Sequence, residues 1–124
     1  MNCDNGMGQH LIIDFAGARH LTDVDKIEFA LKSAAEAAGA VVLDTKVHRF
    51  PNSHGVTGIA VLAESHISIH TWPEHGYIAL DIFMCGDSDP HLALRWLKDY
   101  FRPTSSDTQL LTRRLPLTLS LIHI

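Results

Sequence analysis

The sequence has few of the features that mark secreted, membrane-spanning or nucleic-acid-binding proteins. Its only two cysteines, Cys3 and Cys85, form no C-x-x-C pair, so we expect a reducing compartment and no disulfide framework. It has no run of Lys or Arg, and a net charge of −4 disfavours a surface that tracks phosphates and mildly favours a cationic ligand. The longest apolar stretch, residues 115–124, is too short to span a bilayer, and no secretory signal begins the chain. We therefore expect a cytoplasmic protein without a nucleic-acid or membrane partner.

The length and composition predict one compact domain. The chain has 124 residues, of which 46% are apolar and 19% charged, which is enough apolar material for one core. Neither a linker nor an internal repeat divides it. We expect a single domain over residues 1–124, with loose ends at residues 1–7 and about 116–124.

The pattern of apolar residues predicts two helices among five or six strands. The first helix should run from about residue 23 to 38 with Thr22 as its cap, and the second should begin at Asp89 and continue to about Phe101. The predicted strands cover residues 10–15, 41–50, 56–62, 66–72, 77–85 and 108–115. Because the strands and helices do not alternate regularly, we predict an α+β fold, a two-layer sandwich of a mainly antiparallel sheet with two helices on one face.

The two strands at residues 66–72 and 77–85 form a hairpin whose register the sequence specifies. A four-residue loop between them pairs Trp72 with Tyr77. Counting outward from that pair sets further residues opposite each other, namely His70 and Ala79, Ser68 and Asp81, His66 and Phe83, and Glu64 and Cys85. A slip of one residue would turn the apolar side chains out of the core. The hairpin therefore has one apolar face and one face with histidines, a carboxylate and a thiol.

Several motifs in this region resemble those of one enzyme family. They are Glu64-Ser65-His66, Ile69-His70-Thr71-Trp72-Pro73-Glu74 and Cys85-Gly86, preceded by Gly8-Gln9-His10-Leu11, His48-Arg49-Phe50 and Gly55-Val56-Thr57-Gly58. In this order and spacing they resemble the short prokaryotic S-adenosylmethionine decarboxylases, which are made as proenzymes. The resemblance covers roughly residues 8 to 102, and the sequence after Pro103 departs from the family.

The resemblance implies that the chain cuts itself between Glu64 and Ser65 into fragments 1–64 and 65–124. Ser65 would become a pyruvoyl group, which forms a Schiff base with the substrate and needs no metal. His70 corresponds to the residue that removes a proton during this processing, and Thr57 lies where the family has a supporting serine. Cys85 corresponds to the acid that returns a proton to the decarboxylated carbon, in keeping with the ordinary thiol pKa near about 8.5.

The resemblance also implies the substrate and the assembly. Phe50 and Trp72 correspond to aromatic residues that flank the adenine of S-adenosylmethionine, and Glu74 to a residue that accepts hydrogen bonds from the ribose. The product would be decarboxylated S-adenosylmethionine, which is used in spermidine synthesis. Members of the family are dimers or larger, with sites shared between protomers, so a homodimer of processed chain pairs is expected.

Three other interpretations remain open at the level of sequence. The same pyruvoyl chemistry could act on ornithine or arginine, because it requires only an α-amino acid. The chain could be a homologue that does not process itself and acts as an assembly partner, since Thr57 and the C-terminal stretch depart from the family. It could also bind a metal through His66, His70, His75 and Cys85. However, His66 and His70 lie about 13 Å apart along a strand at about 3.3 Å per residue, which disfavours one shared ion.

Overall fold

The structure is a computed structural model that describes residues 7–114, which form a two-layer α+β fold. Its elements, in chain order, are β1 (Met7–Ala16), α1 (Val24–Ala37), β2 (Val42–Arg49), β3 (Val56–Leu62), β4 (Ser65–Trp72), β5 (Tyr77–Cys85), α2 (Pro90–Phe101) and β6 (Ser105–Arg114). The strands form one sheet in the order β2-β3-β4-β5-β1-β6, and every neighbouring pair is antiparallel. Both helices pack together on the sheet, which confirms the predicted fold class. Within residues 7–114, no helix combines the length and apolarity needed to cross a membrane.

The first and last strands of the chain, β1 and β6, begin earlier than the sequence predicted. β1 already begins at Met7, a residue expected to be loose, and β6 begins at Ser105 rather than Thr108. Both extensions have one cause: β1 and β6 pair along their whole length, from Met7 opposite Arg114 to Ala16 opposite Ser105. Residue 115 and the stretch 116–124, which were also predicted to be a strand end and a loose tail, lie outside the described residues, as do residues 1–6.

The N-terminal cap of α1 is Asp23, and the prediction of Thr22 is wrong. The Asp23 carboxylate accepts a hydrogen bond from the backbone N–H of Lys26 at 3.1 Å. A carboxylate at this position satisfies an unpaired donor and also complements the positive end of the helix dipole. Asp89 caps α2 as predicted, accepting from the N–H of His91 at 2.9 Å.

The core lies between the helices and one face of the sheet, as the hairpin register required. The predicted pairs of β4 and β5 from Trp72–Tyr77 to His66–Phe83 are present. The predicted pair of Glu64 with Cys85 is not formed, because β4 begins only at Ser65 and Glu64 lies in the preceding turn. The apolar residues of the two strands are buried, with Ile67, Ile69 and Ile82 at 0% exposure and Leu80 at 3%. Burying a side chain of this size contributes about 1.5–3 kcal/mol, so a slipped register would lose several such contributions at once.

The opposite face of the sheet, here called the open face, is covered by no helix of the described residues. It carries the side chains that alternate with the core residues, including Ile12, Ile59, Val61 and Trp72, each between 36% and 40% exposed. The same face carries His10, His66, Ser68, His70 and Asp81. The open face therefore combines a partly exposed apolar surface with titratable groups.

Candidate active site

The bond predicted to be cut lies in a strained turn between β3 and β4. Glu64 has a φ of 61°, in the left-handed region, and Ser65 begins β4 with only 9% of its surface exposed. A residue with a Cβ in this conformation costs about 1–2 kcal/mol relative to ordinary backbone. The Sγ of Cys85 lies 3.5 Å from the carbonyl oxygen of Glu64. The structure therefore places Glu64, Ser65 and Cys85 around one peptide bond. We call these three residues the cleavage half-site.

Cys85 is buried beside this bond, at 4% exposure, and borders a cavity of about 320 Å³. The structure records its sulfur in a disulfide, which differs from the expectation of reduced cysteines. The other cysteine of the chain, Cys3, lies outside the described residues. Only the reduced form of Cys85 has a proton to give, so the predicted acid role requires the thiol.

The remaining predicted residues gather at the far end of β4. Thr57 and His70 face each other across β3 and β4, and the Thr57 Oγ1 lies 3.1 Å from His70 Nδ1 in a hydrogen bond. Both residues border a cavity of about 310 Å³, whose lining also includes the three predicted substrate-binding residues, Phe50, Trp72 and Glu74. A second depression of about 540 Å³ over β2–β4 is lined by the same Thr57 and His70. We call these five residues the binding half-site.

The Trp72 ring packs against Tyr77, which is itself hydrogen-bonded to Asp14. Tyr77, the cross-strand partner of Trp72, packs against it with ring centroids 5.2 Å apart and the ring planes tilted by 33°. The Tyr77 hydroxyl donates a hydrogen bond to Asp14 at 2.5 Å, which raises the pKa of this phenol. The carboxylate thus restrains the tyrosine, and the tyrosine restrains the tryptophan. Neither Asp14 nor Tyr77 was identified from the sequence as part of the site.

Phe50 is positioned by the loop that follows β2. Its backbone N–H donates to the carbonyl of Gly55 at 2.8 Å, which closes the loop. A Cβ at Gly55 would lie 2.7 Å from the backbone oxygen of Thr71, closer than real side chains allow. A residue without a side chain is therefore needed for the loop to reach β4 and bring Phe50 to the cavity.

The two half-sites do not meet within one chain. Ser65 and His70 lie at opposite ends of β4, five residues apart, which corresponds to about 16 Å at about 3.3 Å per residue. Alternation along the strand also places Ser65 in phase with the buried Ile67 and Ile69, whereas His70 belongs to the open face. A single chain thus holds both sets of residues, but it cannot bring the imidazole to its own serine.

A cluster that the sequence did not predict lies between the half-sites. His10 and His66 each approach the same oxygen of Asp81, with Nε2–Oδ2 distances of 2.7 and 2.8 Å, and the Ser68 hydroxyl donates to the other oxygen. Because a carboxylate only accepts, both Nε2 atoms carry the proton. Although burial opposes it, the hydrogen bonds from these three side chains hold the pKa of Asp81 well below its usual range. The hydrogen bond to Asp81 raises the pKa of His66, again against burial.

Only part of this cluster could be found from the sequence. The hairpin register predicted Ser68 opposite Asp81, but His10 joins them because β1 lies next to β5, a pairing between distant parts of the chain. Within residues 7–114, His10, His66 and Asp81 are also the one group of three potential metal ligands that lie together. It differs from the set of four considered from the sequence, of which only His66 belongs to it.

Comparison with known proteins gives one consistent result. Residues 9–114 match the family described as S-adenosylmethionine decarboxylase, so the expectation that the sequence departs from the family directly after Pro103 is wrong for residues 104–114. The chain is 44% identical over 99 residues to an S-adenosylmethionine decarboxylase proenzyme of Fervidobacterium nodosum, covering 77% of this chain and 72% of that protein. It is 43% identical over 104 residues to the proenzyme of Methanococcus maripaludis, covering 82% and 84%.

A solved structure shows the same fold. The crystal structure of the adenosylmethionine decarboxylase from Aquifex aeolicus superposes with a TM-score of 0.79 at 32% sequence identity. The match covers 88% of this chain and 92% of that one. Together with the matched residues 9–114, this shows that the chain belongs to the S-adenosylmethionine decarboxylase family.

Proposed function

We propose that this chain is the precursor of a pyruvoyl-dependent decarboxylase that cuts itself between Glu64 and Ser65 and acts on S-adenosylmethionine. The observation that carries the proposal is the strained Glu64–Ser65 turn, with Cys85 Sγ 3.5 Å from its carbonyl oxygen, in a chain of this family. The product, decarboxylated S-adenosylmethionine, is a precursor for spermidine synthesis. The same motifs support each step that follows.

The first reaction converts the Glu64–Ser65 peptide into two chain ends. The Ser65 Oγ attacks the Glu64 carbonyl carbon, and the bond to nitrogen breaks, which leaves an ester and an amine. An imidazole then takes the α-proton of Ser65, the ester oxygen leaves with Glu64 as a carboxylate, and a dehydroalanine remains. Water replaces its nitrogen, releasing ammonia and leaving a pyruvoyl end at residue 65. Holding the hydroxyl against its carbonyl can lower the barrier by about 7–11 kcal/mol.

The residues around the bond fit this group. Ser65 is nearly buried, which protects a reactive ketone from water, and the left-handed Glu64 turns its carbonyl toward Cys85. The pyruvoyl ketone supplies an electrophile that accepts the electron pair left when carbon dioxide departs. The reduced Cys85 thiol holds the proton that returns to the substrate carbon.

The binding half-site supplies the recognition of the nucleoside. Phe50 and Trp72, at 46% and 40% exposure, present aromatic faces at one cavity and are suited to stack on adenine. Glu74 lies in the short 3₁₀ turn after β4 and accepts hydrogen bonds from ribose hydroxyls. Aromatic faces also attract the sulfonium of S-adenosylmethionine, by about 0.5–2 kcal/mol. Ornithine and arginine have no sulfonium and would present an ammonium or a guanidinium to the same faces.

A homodimer completes the site, because one chain cannot. The cleavage and binding half-sites lie about 16 Å apart along β4, so His70 and Thr57 would serve Ser65 of a second copy. The open face supplies a surface for that copy, since it is apolar, partly exposed and covered by no helix in residues 7–114. In a two-fold dimer each copy gives one half-site to each of two complete sites.

The proposal is tested by intact-mass measurement followed by a carbon dioxide assay. We expect two fragments, 1–64 and 65–124, whose summed mass exceeds that of the precursor by one water minus one ammonia. Carbon dioxide should be released from S-adenosylmethionine in preference to ornithine or arginine. Ser65→Ala should remain whole, whereas Ser105→Ala, at an exposed serine of β6, should be cut normally.

Each alternative has its own outcome in the same assay. A chain that stays whole on long incubation supports a non-processing assembly partner and contradicts the proposal. A cut chain that turns over only ornithine or arginine retains the pyruvoyl chemistry and contradicts the substrate.

A further inference from the structure

We propose that His10, His66 and Asp81 form a binding site for one transition-metal dication, such as Zn²⁺, on the open face of the sheet. The three residues come from β1, β4 and β5, which are adjacent strands in the sheet. None of the three residues belongs to either half-site, although Ser68 beside them lines the depression that Thr57 and His70 also border.

The donor atoms of the three side chains already converge. One ligand atom from each, two imidazole nitrogens and a carboxylate oxygen, lie within 4.8 Å of one another. Ligands at the usual zinc distances of about 2.0–2.2 Å lie about 3.3 Å apart in a tetrahedron. The 2.7 and 2.8 Å hydrogen bonds to Asp81 would have to open by about half an ångström to admit the ion, which side-chain rotation can supply.

The surroundings fit a bound cation in two further ways. Ser68 holds the second oxygen of Asp81, as outer hydrogen-bond partners orient the ligands of metal sites. The side chains of His10, Asp81 and His66 are 16%, 23% and 36% exposed, so the site is partly buried but open on one side for a water as a fourth ligand. On binding, each imidazole gives up its Nε2 proton, a neutral ring then carries its proton on Nδ1, and the ion takes the place of the two hydrogen bonds.

One neighbouring group opposes the ion and provides a specific test. Arg113 of β6 lies with Nη1 3.4 Å from the Nδ1 of His10, so a guanidinium stands beside the site. Its charge repels a dication, and its hydrogen bond favours the tautomer that binds no metal at Nε2. Arg113→Gln should therefore tighten metal binding by about threefold or more.

The experiment is a Zn²⁺ titration of the full-length chain by calorimetry, with Co²⁺ absorption as a second readout. Metal content is also measured after expression with added Zn²⁺, so that an ion enclosed during assembly is counted. We expect one ion per chain, and affinity at least about tenfold lower in His10→Gln, His66→Gln and Asp81→Asn. The control is His91→Gln at an exposed histidine of α2, which should bind as the parent does.

The inference is overturned if the parent chain binds no ion at a 1:1 ratio, or if the three ligand variants bind as tightly as the parent. If a ligand variant fails to fold, Arg113→Gln still tests the inference, because this variant keeps all three ligands. Unchanged or weaker Zn²⁺ binding in Arg113→Gln would also contradict it. Ser65→Ala should bind Zn²⁺ like the parent, so this result is independent of cleavage and of the proposed function.

Discussion

At the scale of single residues, Cys85 illustrates how far the sequence can be interpreted. The hairpin register placed its strand position beside Glu64, and the structure puts its sulfur 3.5 Å from the Glu64 carbonyl oxygen. The closeness of the two residues could be predicted because apolar alternation leaves one register that buries the core, although Glu64 lies in a turn and does not pair with Cys85 in the ladder. The disulfide recorded at Cys85 was not predicted, because two cysteines outside any C-x-x-C pair favoured reduced thiols.

Replacing this residue should separate cutting from turnover. In Cys85→Ala we expect the chain still to be cut, because the hydroxyl and the imidazole of that reaction remain. Carbon dioxide release should fall by about 10²–10⁴-fold, the usual contribution of a positioned acid. Electrophoresis follows the first reaction and radiolabelled carbon dioxide the second; undiminished release would remove Cys85 from the proposed mechanism.

The titration of Asp81 and His66 predicts a pH window for stability. The pKa of Asp81 is lowered, so its contribution is present above its usual pKa of 3.8 and is lost as the pH falls further. The pKa of His66 is raised, so its contribution is present below 6.5 and is lost as the pH rises through the higher folded value. The stability difference between the parent and Asp81→Asn should therefore be largest between pH 3.8 and 6.5.

Urea unfolding of metal-free protein across this range measures that difference. His91→Gln serves as the control and should show no such window. A stability difference that keeps rising above pH 7 would contradict the assigned protonation of His66.

At the scale of elements, Thr71 joins three segments around the binding half-site. Its Oγ1 accepts from the N–H of Val56 at 2.9 Å and donates to the carbonyl of Leu21 at 2.7 Å, and the residue is only 5% exposed. It thereby fixes the start of β3 and the segment before α1 to β4. The sequence predicted these elements, but it did not predict this connection, because it depends on segments 15 and 50 residues away.

Thr71→Val tests this connection with little change of shape. It leaves two buried backbone groups without a partner, each costing about 1–3 kcal/mol, so we expect a loss of about 2–4 kcal/mol of unfolding free energy. Thr108→Val, on the exposed side of β6, should change stability by less than about 0.5 kcal/mol. Equal effects of the two substitutions would show that the hydrogen bonds of the Thr71 hydroxyl contribute nothing measurable to the free energy of unfolding.

At the scale of the whole molecule, the separation of the half-sites is the observation on which the proposed homodimer rests. The resemblance predicted the roles of Ser65, His70 and Cys85, but it did not predict how far apart these residues lie. Only the sheet shows that the residues lie at opposite ends of β4. The sequence therefore predicted the fold, which the structure confirms, and a set of site residues whose roles stay a prediction; the structure adds how these residues are divided between the two ends of β4.

Mixing two inactive variants tests this division directly. Ser65→Ala and His70→Ala should each remain whole when expressed alone. In a dimer of one of each, the Ser65 of the His70→Ala chain meets the intact His70 of its partner, so that chain should be cut. Random pairing of equal amounts predicts cutting of about half of the His70→Ala chains. If no fragments form on co-expression, the site is not shared between copies.

The proposed cut between Glu64 and Ser65 has a consequence for the finished enzyme. Fragment 1–64 holds β1, β2 and β3, and fragment 65–124 holds β4, β5 and β6, yet the sheet interleaves them, with β1 between β5 and β6. Neither fragment can dissociate unless β1 loses its hydrogen bonds to both β5 and β6, so we expect the two fragments to stay together after cutting. Once unfolded, however, the two pieces must find each other again as separate molecules. Refolding of the cut form should consequently depend on protein concentration and that of Ser65→Ala much less, an asymmetry that dilution refolding would reveal.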